Sequence, residues 1–478
     1  MSRILVAGVD VGTRSTKGVL VDAADGSVVT ETAIAHDLAL GEGGRAEHDA
    51  EVVWWGGVRD VLAHLTRHGA VGAVGLSSCG PCLVPVGVDG EPLRPGILYG
   101  IDTRAAALAE QHGLPYSSQS AWAKLLWLEA AEPQVTGAAA AWLTANGFAA
   151  YRLTGARVMD HHQAAYFSPG YVDGEWRAGE RPMPALAWSS EIAGTVMPAA
   201  ASVTGLVAGT PVVIGSSDGA TDPLGAGVGA GSTALVRFGS TLGVTIISAG
   251  DTGDVEGLWR TPGNRRGEVM LVGGLSTGGS ITAWMREQFA RELPQSDAGE
   301  IRAAHAALVA EAAAAPAGSG GVLTLPYFAG ERTPFHDPGA RGIIAGIGLG
   351  TTRGELYRSA LEGTVYGLRQ LLEAATAGGV RVDRLRAVGG GVAGDLWVQL
   401  AADATGLPVD VVEPELGAPY GAARLAAEAI GAATADAPSW AVVARTLEPR
   451  PAERPLHDAR YAAMRRLYHD SRSVIGDL

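Results

Sequence analysis

The sequence predicts an α/β protein of two domains. At 478 residues the chain exceeds the size at which a single hydrophobic core stops growing, so two cores are expected. Strand-like apolar runs alternate with helical segments, which is typical of α/β folds. A strand–loop–strand pattern rich in Gly, Thr and Ser also occurs once in each half, which indicates a duplicated domain. We place the boundary near residue 245, giving domains 1–245 and 246–478.

The first predicted element is a β-hairpin. Ile4–Val9 and Gly18–Asp22 are apolar runs joined by a Gly/Thr/Ser loop. The Asp25-Gly26 turn then leads to a third strand at Val28–Ile34. A buried strand is predicted at Val71–Ser77. The first half therefore begins as a sheet.

The later elements alternate between the two types. Further strands are predicted at Pro211–Gly215, Ala234–Phe238, Val244–Ser248, Val269–Val272, Val322–Leu325, Leu385–Val388 and Val409–Val412. Helices are predicted at Glu51–His68, Thr103–His112, Trp122–Ala131, Ala138–Leu153, Ile281–Glu292, Ile301–Ala314, Arg353–Ala375, Leu396–Thr405 and Ala418–Ala429. This order predicts an α/β arrangement in both halves.

Composition excludes several classes of protein. The apolar content of 47% and charged content of 18% are those of an ordinary globular protein. No apolar stretch reaches the roughly 18 residues that a membrane helix needs, and the N-terminus is too short and acidic for a signal peptide. We therefore expect a cytoplasmic protein. The net charge of -14, without a basic run, makes nucleic acid a poor partner.

The only cysteines form the run Cys79-Gly80-Pro81-Cys82, which has the spacing of a thioredoxin motif. A redox site would place the first cysteine at a helix N-terminus, which lowers its pKa. Pro85 and a turn at Gly90 follow closely, so a long helix is not expected here. The favoured interpretation is two small buried residues in a strand–turn–strand, with dithiol chemistry as the alternative.

The common nucleotide motifs are missing from the sequence. No P-loop occurs, and neither do the H-R-D and D-F-G motifs of protein kinases. Gly225–Ala230 matches G-x-G-x-x-A, but it does not open a recognisable dinucleotide-binding unit. A nicotinamide site is therefore not favoured.

The loop of the first hairpin, Asp10–Lys17, is a better phosphate cradle. Glycine lets the backbone approach phosphate oxygens, and the hydroxyl and ammonium groups add donors. A carboxylate can hold Mg²⁺ through water, because this ion keeps most of its hydration shell. The candidate residues are Gly12, Thr13, Ser15 and Lys17 for phosphate and Asp10 for the metal. The alternative interpretation is a plain β-turn with incidental hydroxyls.

The second half repeats this loop as Gly239-Ser240-Thr241. Two such loops would clamp a polyphosphate between the domains, where closure excludes water. Gly389-Gly390-Gly391 follows a predicted strand and would admit a flat ring such as adenosine, with a plain turn as the alternative.

Asp218 ends a buried apolar strand, at the sheet edge where α/β sites form. Phosphoryl transfer needs a base that accepts the hydroxyl proton, and a carboxylate suits this role. Asp222 is the competitor, and Asp218 is preferred because it is closer to the strand end. The alternative role is a cap on the following helix.

Together these segments resemble the FGGY carbohydrate kinases over nearly the whole chain. Gly342–Ile347 followed by Glu355–Glu362 matches the long C-terminal signature of that family at every constrained position. Ala121–Leu128 nearly matches the N-terminal signature, with Ala121 where Pro, Ser or Thr is usual. Gly330–Pro334 is similar to the corresponding run of xylulokinases and gluconokinases.

The resemblance implies two ribonuclease-H-like (actin-like ATPase) domains with an interdomain active-site cleft. It implies ATP and Mg²⁺, and it assigns the loops above to phosphate, metal and adenosine and Asp218 to the general base. Asp102 and Arg104 match a W-x-D-x-R-like element on the sugar side. The predicted substrate-binding residues are Cys79, Gly80, Asp102, Arg104 and Asp218. Lys124 is assigned a structural role.

The acceptor loop departs from the best-known family pattern. Cys79–Cys82 stands where xylulokinases commonly carry Gln-Met-His-Gly, and Gly219 replaces a frequent Asn. We therefore expect ATP-dependent phosphorylation of a hydroxyl on a small ketose, polyol or sugar acid, without naming xylulose. The alternatives are a conformational ATPase of the actin/Hsp70 type, an inactive sensor and a thioredoxin-like protein. The expected partner is a small sugar or polyol, and a homodimer is left open.

Overall fold

The computed structural model describes residues 3–114, 117–250, 252–413, 415–435 and 439–476. The chain forms two compact units. Unit 1 consists of Met1–Gly227, Thr261–Glu268 and Leu416–Ala441, and unit 2 of Val228–Arg260, Val269–Glu415 and Val442–Leu478. The first division thus lies after Gly227, whereas the sequence placed it near residue 245. Residue 245 lies inside a strand, Leu242–Ala249, that pairs with the strand before it.

The first 227 residues contain both strands and helices, beginning with a run of strands. The strands are β1 (Leu5–Val11), β2 (Ser15–Asp22), β3 (Val28–Ala35), β4 (Ala39–Leu40), β5 (Ala46–His48), β6 (Val71–Ser78), β7 (Val84–Val86), β8 (Gly96–Ile97), β9 (Ala141–Leu143), β10 (Val158–Asp160), β11 (Tyr171–Val172), β12 (Glu175–Trp176), β13 (Ala185–Ala187), β14 (Ile192–Thr195) and β15 (Pro211–Ser217). The helices are α1 (Gly56–Leu65), α2 (Ala106–Gln111), α3 (Ala121–Ala131), α4 (Pro133–Ala138), α5 (Ala145–Thr154), α6 (His161–Ala164), α7 (Pro198–Thr204) and α8 (Asp218–Gly225).

The rest of the chain begins with four successive strands and then mixes helices with strands. Its strands are β16 (Thr233–Phe238), β17 (Leu242–Ala249), β18 (Trp259–Pro262), β19 (Glu268–Leu275), β20 (Leu323–Leu325), β21 (Ile343–Ala345), β22 (Arg384–Val388), β23 (Val409–Val412) and β24 (Val443–Leu447). Its helices are α9 (Gly279–Phe289), α10 (Ala298–Ala314), α11 (Arg353–Ala377), α12 (Asp395–Thr405), α13 (Gly417–Ala429) and α14 (Arg454–Gly476).

Unit 1 is built on a six-stranded sheet with the order β14-β15-β6-β1-β2-β3. The first three strands form an antiparallel meander, and β6 and β15 then run parallel to β1. Successive side chains of β1 point to opposite faces. Val9 packs with residues of α1 and α5, whereas Val6 packs with residues of α13. Both faces of the sheet are therefore covered, as expected for parallel strands.

The backbone of helix α13 packs directly against the backbone of the sheet in unit 1. A Cβ atom on Gly8 of β1 would lie 1.8 Å from the carbonyl oxygen of Pro419. A Cβ atom on Gly75 of β6 would lie 1.9 Å from the carbonyl oxygen of Ala422. Glycine is required at both positions because there is no room for a side chain. The helix was predicted at Ala418–Ala429, but within the second domain, and the structure assigns it to unit 1.

Unit 2 contains a seven-stranded sheet with the order β18-β19-β17-β16-β22-β23-β24. Its central strand β16 pairs antiparallel with β17 and parallel with β22, just as β1 pairs antiparallel with β2 and parallel with β6. The recurring sequence pattern therefore corresponds to a recurring strand arrangement. The predicted α/β class is confirmed in both units.

One predicted helix was wrong in its extent. Ala138–Leu153 was expected to be a single helix, but residues 141–143 form β9, which pairs with β7. Helix α5 begins only after Thr144, whose hydroxyl caps the Gly147 amide at 3.3 Å. The side-chain cap and the strand pairing together override the helical pattern. Among the described residues, no helix is long and apolar enough to cross a membrane.

Candidate functional site

The predicted metal residue Asp10 lies where three parallel strands of unit 1 end. Strand register places Asp10 opposite Ser77 of β6, and Ser77 opposite Ser216 of β15. The Ser77 hydroxyl donates a hydrogen bond of 2.8 Å to Asp10 Oδ1 and lies 2.8 Å from the Thr221 hydroxyl of α8. The carboxyl edge of this sheet is therefore polar and hydrogen-bonded, as the predicted site requires.

The predicted phosphate loop is a tight hairpin between β1 and β2. The Gly12 amide donates to the Ser15 carbonyl at 3.0 Å, and a Cβ atom on Gly12 would lie 2.9 Å from that oxygen. The Thr13 hydroxyl is 3.0 Å from the Tyr99 hydroxyl. Lys17 is exposed and stands directly opposite Asp10 in the register, so both side chains lie on one face of the sheet. The loop thus joins backbone amides, hydroxyls and an ammonium group.

A buried histidine, His48, binds the backbone of the hairpin, and it was not predicted from the sequence. The Trp54 indole donates to His48 Nδ1 at 3.1 Å, and His48 Nε2 lies 3.1 Å from the Thr13 carbonyl oxygen. An indole is only a donor and a carbonyl only an acceptor, so the proton of His48 must sit on Nε2. Burial and the neighbouring His36 lower the pKa of His48 to about 4. The imidazole is therefore neutral and fixes the Thr13 backbone.

Asp218 is the first residue of α8, directly after β15. Its side chain is exposed, and its Oδ1 accepts the Gly219 amide at 2.8 Å. Asp222, the competing candidate, is only 5% exposed, one turn further along the helix. The structure therefore offers the Asp218 carboxylate to solvent, which a proton acceptor for a diffusible substrate requires.

A buried polar network, also missed from sequence, underlies the end of β15. Gln163 Nε2 donates to Asn146 Oδ1 at 2.6 Å and to Asp160 Oδ2 at 3.0 Å. The Ser216 hydroxyl donates to Asp160 Oδ1 at 2.6 Å, and the Asn146 amide donates to the Ile214 carbonyl at 3.0 Å. Asn146, Ser216 and the neighbouring pair Asp160 and Gln163 come from three separate segments, so no local sequence pattern predicts the network. They fix the strand that carries Asp218.

The two cysteines form a buried, reduced dithiol. Their Sγ atoms are 3.7 Å apart, and neither is in a disulfide. Residues 79–82 form a bend between β6 and β7, without the helix that a thioredoxin motif requires. The Cys79 side chain is only 2% exposed, so the predicted acceptor contact of this thiol is not supported. Gly80, by contrast, is partly exposed.

Cys79 is electrostatically unsuited to redox catalysis. Hydrogen bonding to the Cys82 thiol and burial raise the pKa of Cys79 well above its usual range, and the carboxylates of Asp218 and Asp10 act in the same direction. A reactive cysteine has the opposite shift, because the thiolate is the nucleophile. The strand–turn–strand interpretation is therefore the better one.

We expect the native protein to resist labelling by iodoacetamide at about pH 8, because both thiols are buried and the Cys79 thiolate is disfavoured. Mass spectrometry should find both cysteines labelled after unfolding in guanidinium, which serves as the control. Rapid labelling of Cys79 in the native protein would instead restore the redox interpretation.

Asp102 and Arg104 form a buried ion-pair cluster with residues that the sequence did not indicate. The Arg104 guanidinium donates to Asp102 Oδ2 at 2.7 Å and to Glu47 Oε1 at 2.6 Å, and Arg94 donates to the same Glu47 oxygen at 2.5 Å. Arg104 also stacks on the Trp127 ring, with 4.5 Å between its carbon and the centroid. Asp102 is 1% exposed, and both of its carboxylate oxygens accept hydrogen bonds from Arg104.

Lys124 lies inside the core of unit 1, on α3. Its ammonium donates to the Ser118 carbonyl, and burial lowers its pKa to about 8 while Asp102 opposes the shift. With 1% exposure the side chain has no access to solvent. This placement agrees with the structural role assigned from sequence.

The candidate nucleotide loops of unit 2 meet at one edge of its sheet. Strands β16 and β22 are parallel neighbours, so the loops that follow them are adjacent. The Gly239 amide donates to the Thr241 carbonyl at 3.1 Å, and the Ser240 and Thr241 side chains are exposed. Gly389 has φ +99°, and a Cβ atom there would lie 2.8 Å from the Phe238 carbonyl oxygen. Glycine is thus needed for the approach of the two loops.

A third loop, between β19 and α9, completes this edge and was missed from sequence. The Gly278 amide donates to the Ser240 carbonyl at 2.9 Å, and the Gly279 amide donates to the Gly239 carbonyl at 2.7 Å. Gly278 and Gly279 were inconspicuous in a chain with 68 glycines. The backbone of Gly239–Thr241 is therefore held by its neighbour.

Asp10 is the predicted residue for holding a magnesium ion. Among the residues described, no group of three or more His, Cys, Asp or Glu side chains is arranged to hold a metal ion. Mg²⁺ commonly takes one or two carboxylates and completes its shell with phosphate oxygens and water. The single carboxylate of Asp10, beside a phosphate-type loop, fits an ion that arrives with the nucleotide.

Comparison with known proteins gave matches over most of the chain. Residues 5–225 match the model for the N-terminal domain of the FGGY family of carbohydrate kinases, and residues 234–430 match the model for the C-terminal domain. A xylulose kinase of Bacillus subtilis is 27% identical over 449 residues, covering 88% of this chain and 87% of that protein.

Two further proteins are similar to this chain to a comparable degree. A glycerol kinase of Renibacterium salmoninarum is 28% identical over 478 residues, covering 88% of this chain and 89% of that one. The crystal structure of a gluconate kinase from Lactobacillus acidophilus superposes with a TM-score of 0.89 at 23% identity, covering 100% of both chains. The structural match confirms the predicted fold class.

Proposed function

The chain belongs to the FGGY family of carbohydrate kinases, and we propose that it transfers the γ-phosphoryl group of MgATP to a hydroxyl of a small neutral polyol or ketose. The observation that carries the proposal is the position of Asp218. This carboxylate is exposed at the start of α8, on the sheet edge that also carries Asp10 and the Gly12 hairpin. A proton acceptor next to a phosphate cradle is the arrangement that phosphoryl transfer requires.

In the proposed reaction, Asp218 accepts the proton of the acceptor hydroxyl as the oxygen attacks the γ-phosphorus. The bond from that phosphorus to the bridging oxygen breaks, and ADP leaves with the electron pair. The hydroxyls of Thr13 and Ser15 would stabilise charge on the transferring group, together with the Lys17 ammonium. Magnesium, when bound through phosphate oxygens and Asp10, would neutralise part of the same charge.

The nucleotide itself is assigned to loops of unit 2. Ser240 and Thr241 present exposed hydroxyls, and we propose that they bind phosphate oxygens. Gly389–Gly391 would lie along the adenosine, because residues without side chains permit close approach of a flat ring. The Gly389 amide already donates to Glu415 Oε2 at 2.8 Å, which fixes this loop before any ligand binds.

The charge of the Asp102 cluster favours a neutral acceptor. Arg104 is the cation that the sequence places on the sugar side, and its guanidinium is already bound to the carboxylates of Asp102 and Glu47. Arg94 and Arg45 also pair with Glu47, and Arg94 pairs with Glu132, so the ion-paired cluster contains three acids and three arginines and is neutral overall. It therefore offers no surplus positive charge to the carboxylate of a sugar acid.

We expect ADP release that depends on a ketose or polyol acceptor. Its kcat/KM should be at least about tenfold above that for any aldonic acid, because an unfavourable charge contact of about 1.4 kcal/mol produces that ratio. A coupled ADP assay with MgATP against ketopentoses, tetruloses, polyols and aldonic acids measures it. Preference for an aldonic acid would contradict the neutral-acceptor assignment. Slow ADP release that no acceptor changes would favour a conformational ATPase.

A further inference from the structure

We propose that Glu331 and Thr333 are positioning residues that hold the Gly239–Thr241 backbone in the shape required for nucleotide binding. They belong to the run Gly330–Pro334, which carried part of the family resemblance but received no role in the mechanism. The inference rests on the proposed function, because it assumes that Gly239–Thr241 binds phosphate.

The first step of the connection joins Gly330–Pro334 to the end of β19. The Thr333 hydroxyl accepts the Gly274 amide at 2.6 Å and donates to the Gly274 carbonyl at 2.8 Å. Glu331 Oε1 accepts the Ser276 amide at 2.9 Å. Arg332 Nε adds a bond of 3.1 Å to the Gly274 carbonyl. Side chains of Gly330–Pro334 thus bind the backbone at the end of β19 and the residue that follows it.

The second step joins the end of β19 to the candidate phosphate loop. Gly278 and Ser280 amides both donate to the Ser240 carbonyl, at 2.9 and 3.0 Å, and the Gly279 amide donates to the Gly239 carbonyl at 2.7 Å. A Cβ atom on Gly278 would lie 2.5 Å from the Leu242 amide nitrogen. Movement of Gly274–Gly278 is therefore transmitted directly to Gly239 and Ser240.

Burying the polar side chains of Glu331 and Thr333 costs folding free energy, so we expect that the contacts they make are required. Glu331 and Thr333 are each 2% exposed, and Glu331 Oε2 is buried without a hydrogen-bond partner. A buried carboxyl group is unfavourable compared with an apolar side chain of similar size. An apolar residue would fill this space at lower cost. The hydrogen bond from the Ser276 amide to Glu331 therefore explains the buried carboxyl group better than packing does.

The protonation state of Glu331 links the loop to pH. Burial raises the pKa of Glu331 to about 7, and the amides of Ser276 and Arg332 oppose the shift. The charged and titratable groups that face it are the Arg332 guanidinium and the Tyr327 and Tyr468 hydroxyls. The ionised carboxylate is the stronger acceptor for the Ser276 amide. The loop is therefore held more firmly above neutral pH than below it.

This linkage separates a positioning role from a structural one. The folded-state pKa is raised, so the stability contributed by Glu331 is present below its ordinary pKa and is lost as pH rises through about 7. Stability should thus fall between about pH 5 and 7, and MgATP affinity should rise as pH passes through about 7. Glu331→Gln should flatten both trends, because the amide does not titrate.

The test measures MgATP binding by isothermal titration calorimetry, which requires no acceptor. Thr333→Val removes both bonds to Gly274 and leaves a buried amide unpaired, so we expect the Kd to rise about tenfold. Thr333→Ser keeps the hydroxyl and should stay within about threefold of wild type. Thr324→Val is the matched control, because Thr324 is 0% exposed and its hydroxyl contacts only Ser359, at 2.7 Å, among the bonds described.

The control should lower the melting temperature without changing the Kd. If Thr333→Val instead lowers the melting temperature while its Kd equals that of wild type, the positioning role is overturned. If the MgATP affinity of wild type changes with pH in the same way as that of Glu331→Gln, the proposed link between Glu331 and pH is overturned. Failure of wild type to bind MgATP at all would contradict the proposed function itself, a result distinct from the other two.

Discussion

Asp218→Asn is expected to reduce kcat by about 10³-fold, the size of a typical general-base contribution, and to leave MgATP binding within about threefold of wild type. The amide is nearly isosteric with the carboxylate but does not accept a proton from the acceptor hydroxyl. The side chain is exposed at the start of α8, so its replacement should not unfold the protein. Coupled ADP release with the best acceptor gives kcat, and calorimetry gives the nucleotide affinity.

Asp222→Asn provides the matched control for this prediction. It makes the same chemical change one helical turn away, at a side chain that is 5% exposed. We expect this variant to lose stability more than turnover. If turnover collapses in Asp222→Asn and survives in Asp218→Asn, the role of base belongs to the buried carboxylate.

The second large effect is expected at the helix contact of unit 1. Gly421→Ala should reduce the free energy of unfolding by about 3 kcal/mol, at the upper end of the usual cost of overpacking. A Cβ atom at Gly421 of α13 would lie 1.8 Å from the Thr221 carbonyl oxygen of α8, and two backbones have to separate to admit it. Urea unfolding of wild type and variant measures the loss. Turnover should also fall, because α8 carries Asp218.

Gly137→Ala is the control for the glycine effect. Gly137 lies in α4, and a Cβ atom there meets nothing within 4 Å. Alanine favours a helix over glycine by about 1 kcal/mol, so this variant should be slightly more stable than wild type. Equal urea midpoints for Gly421→Ala and wild type would contradict the close approach of α13 and α8.

Local sequence patterns predicted the parts of the site that a single segment builds. The hairpin around Gly12, the loop at Gly239–Thr241 and the position of Asp218 after a buried strand all follow from short-range signals, namely glycine, hydroxyl residues and an apolar run. The structure places each of them where the sequence predicted. Their roles in nucleotide and proton chemistry remain predictions.

The rest of the site depends on contacts between distant segments, which local patterns do not contain. Glu47 and His48 lie on one short strand, yet the first binds Arg104 and the second supports Thr13. Gln163 joins residues from two other segments. Helix α13 was found in sequence, but only its contacts reveal the unit to which it belongs.

The late position of α13 in the sequence affects how the nascent chain folds. Unit 1 receives its covering helix from Leu416–Ala441, after the Val228–Arg260 and Val269–Glu415 parts of unit 2 have been translated. At ~5–20 residues per second, on the order of 10–40 s separates Gly227 from Ala441 at the ribosome. During this interval Gly8 and Gly75 lack the α13 backbone that they contact in the native structure. Unit 1 therefore completes its native packing only after Leu416–Ala441 has been made.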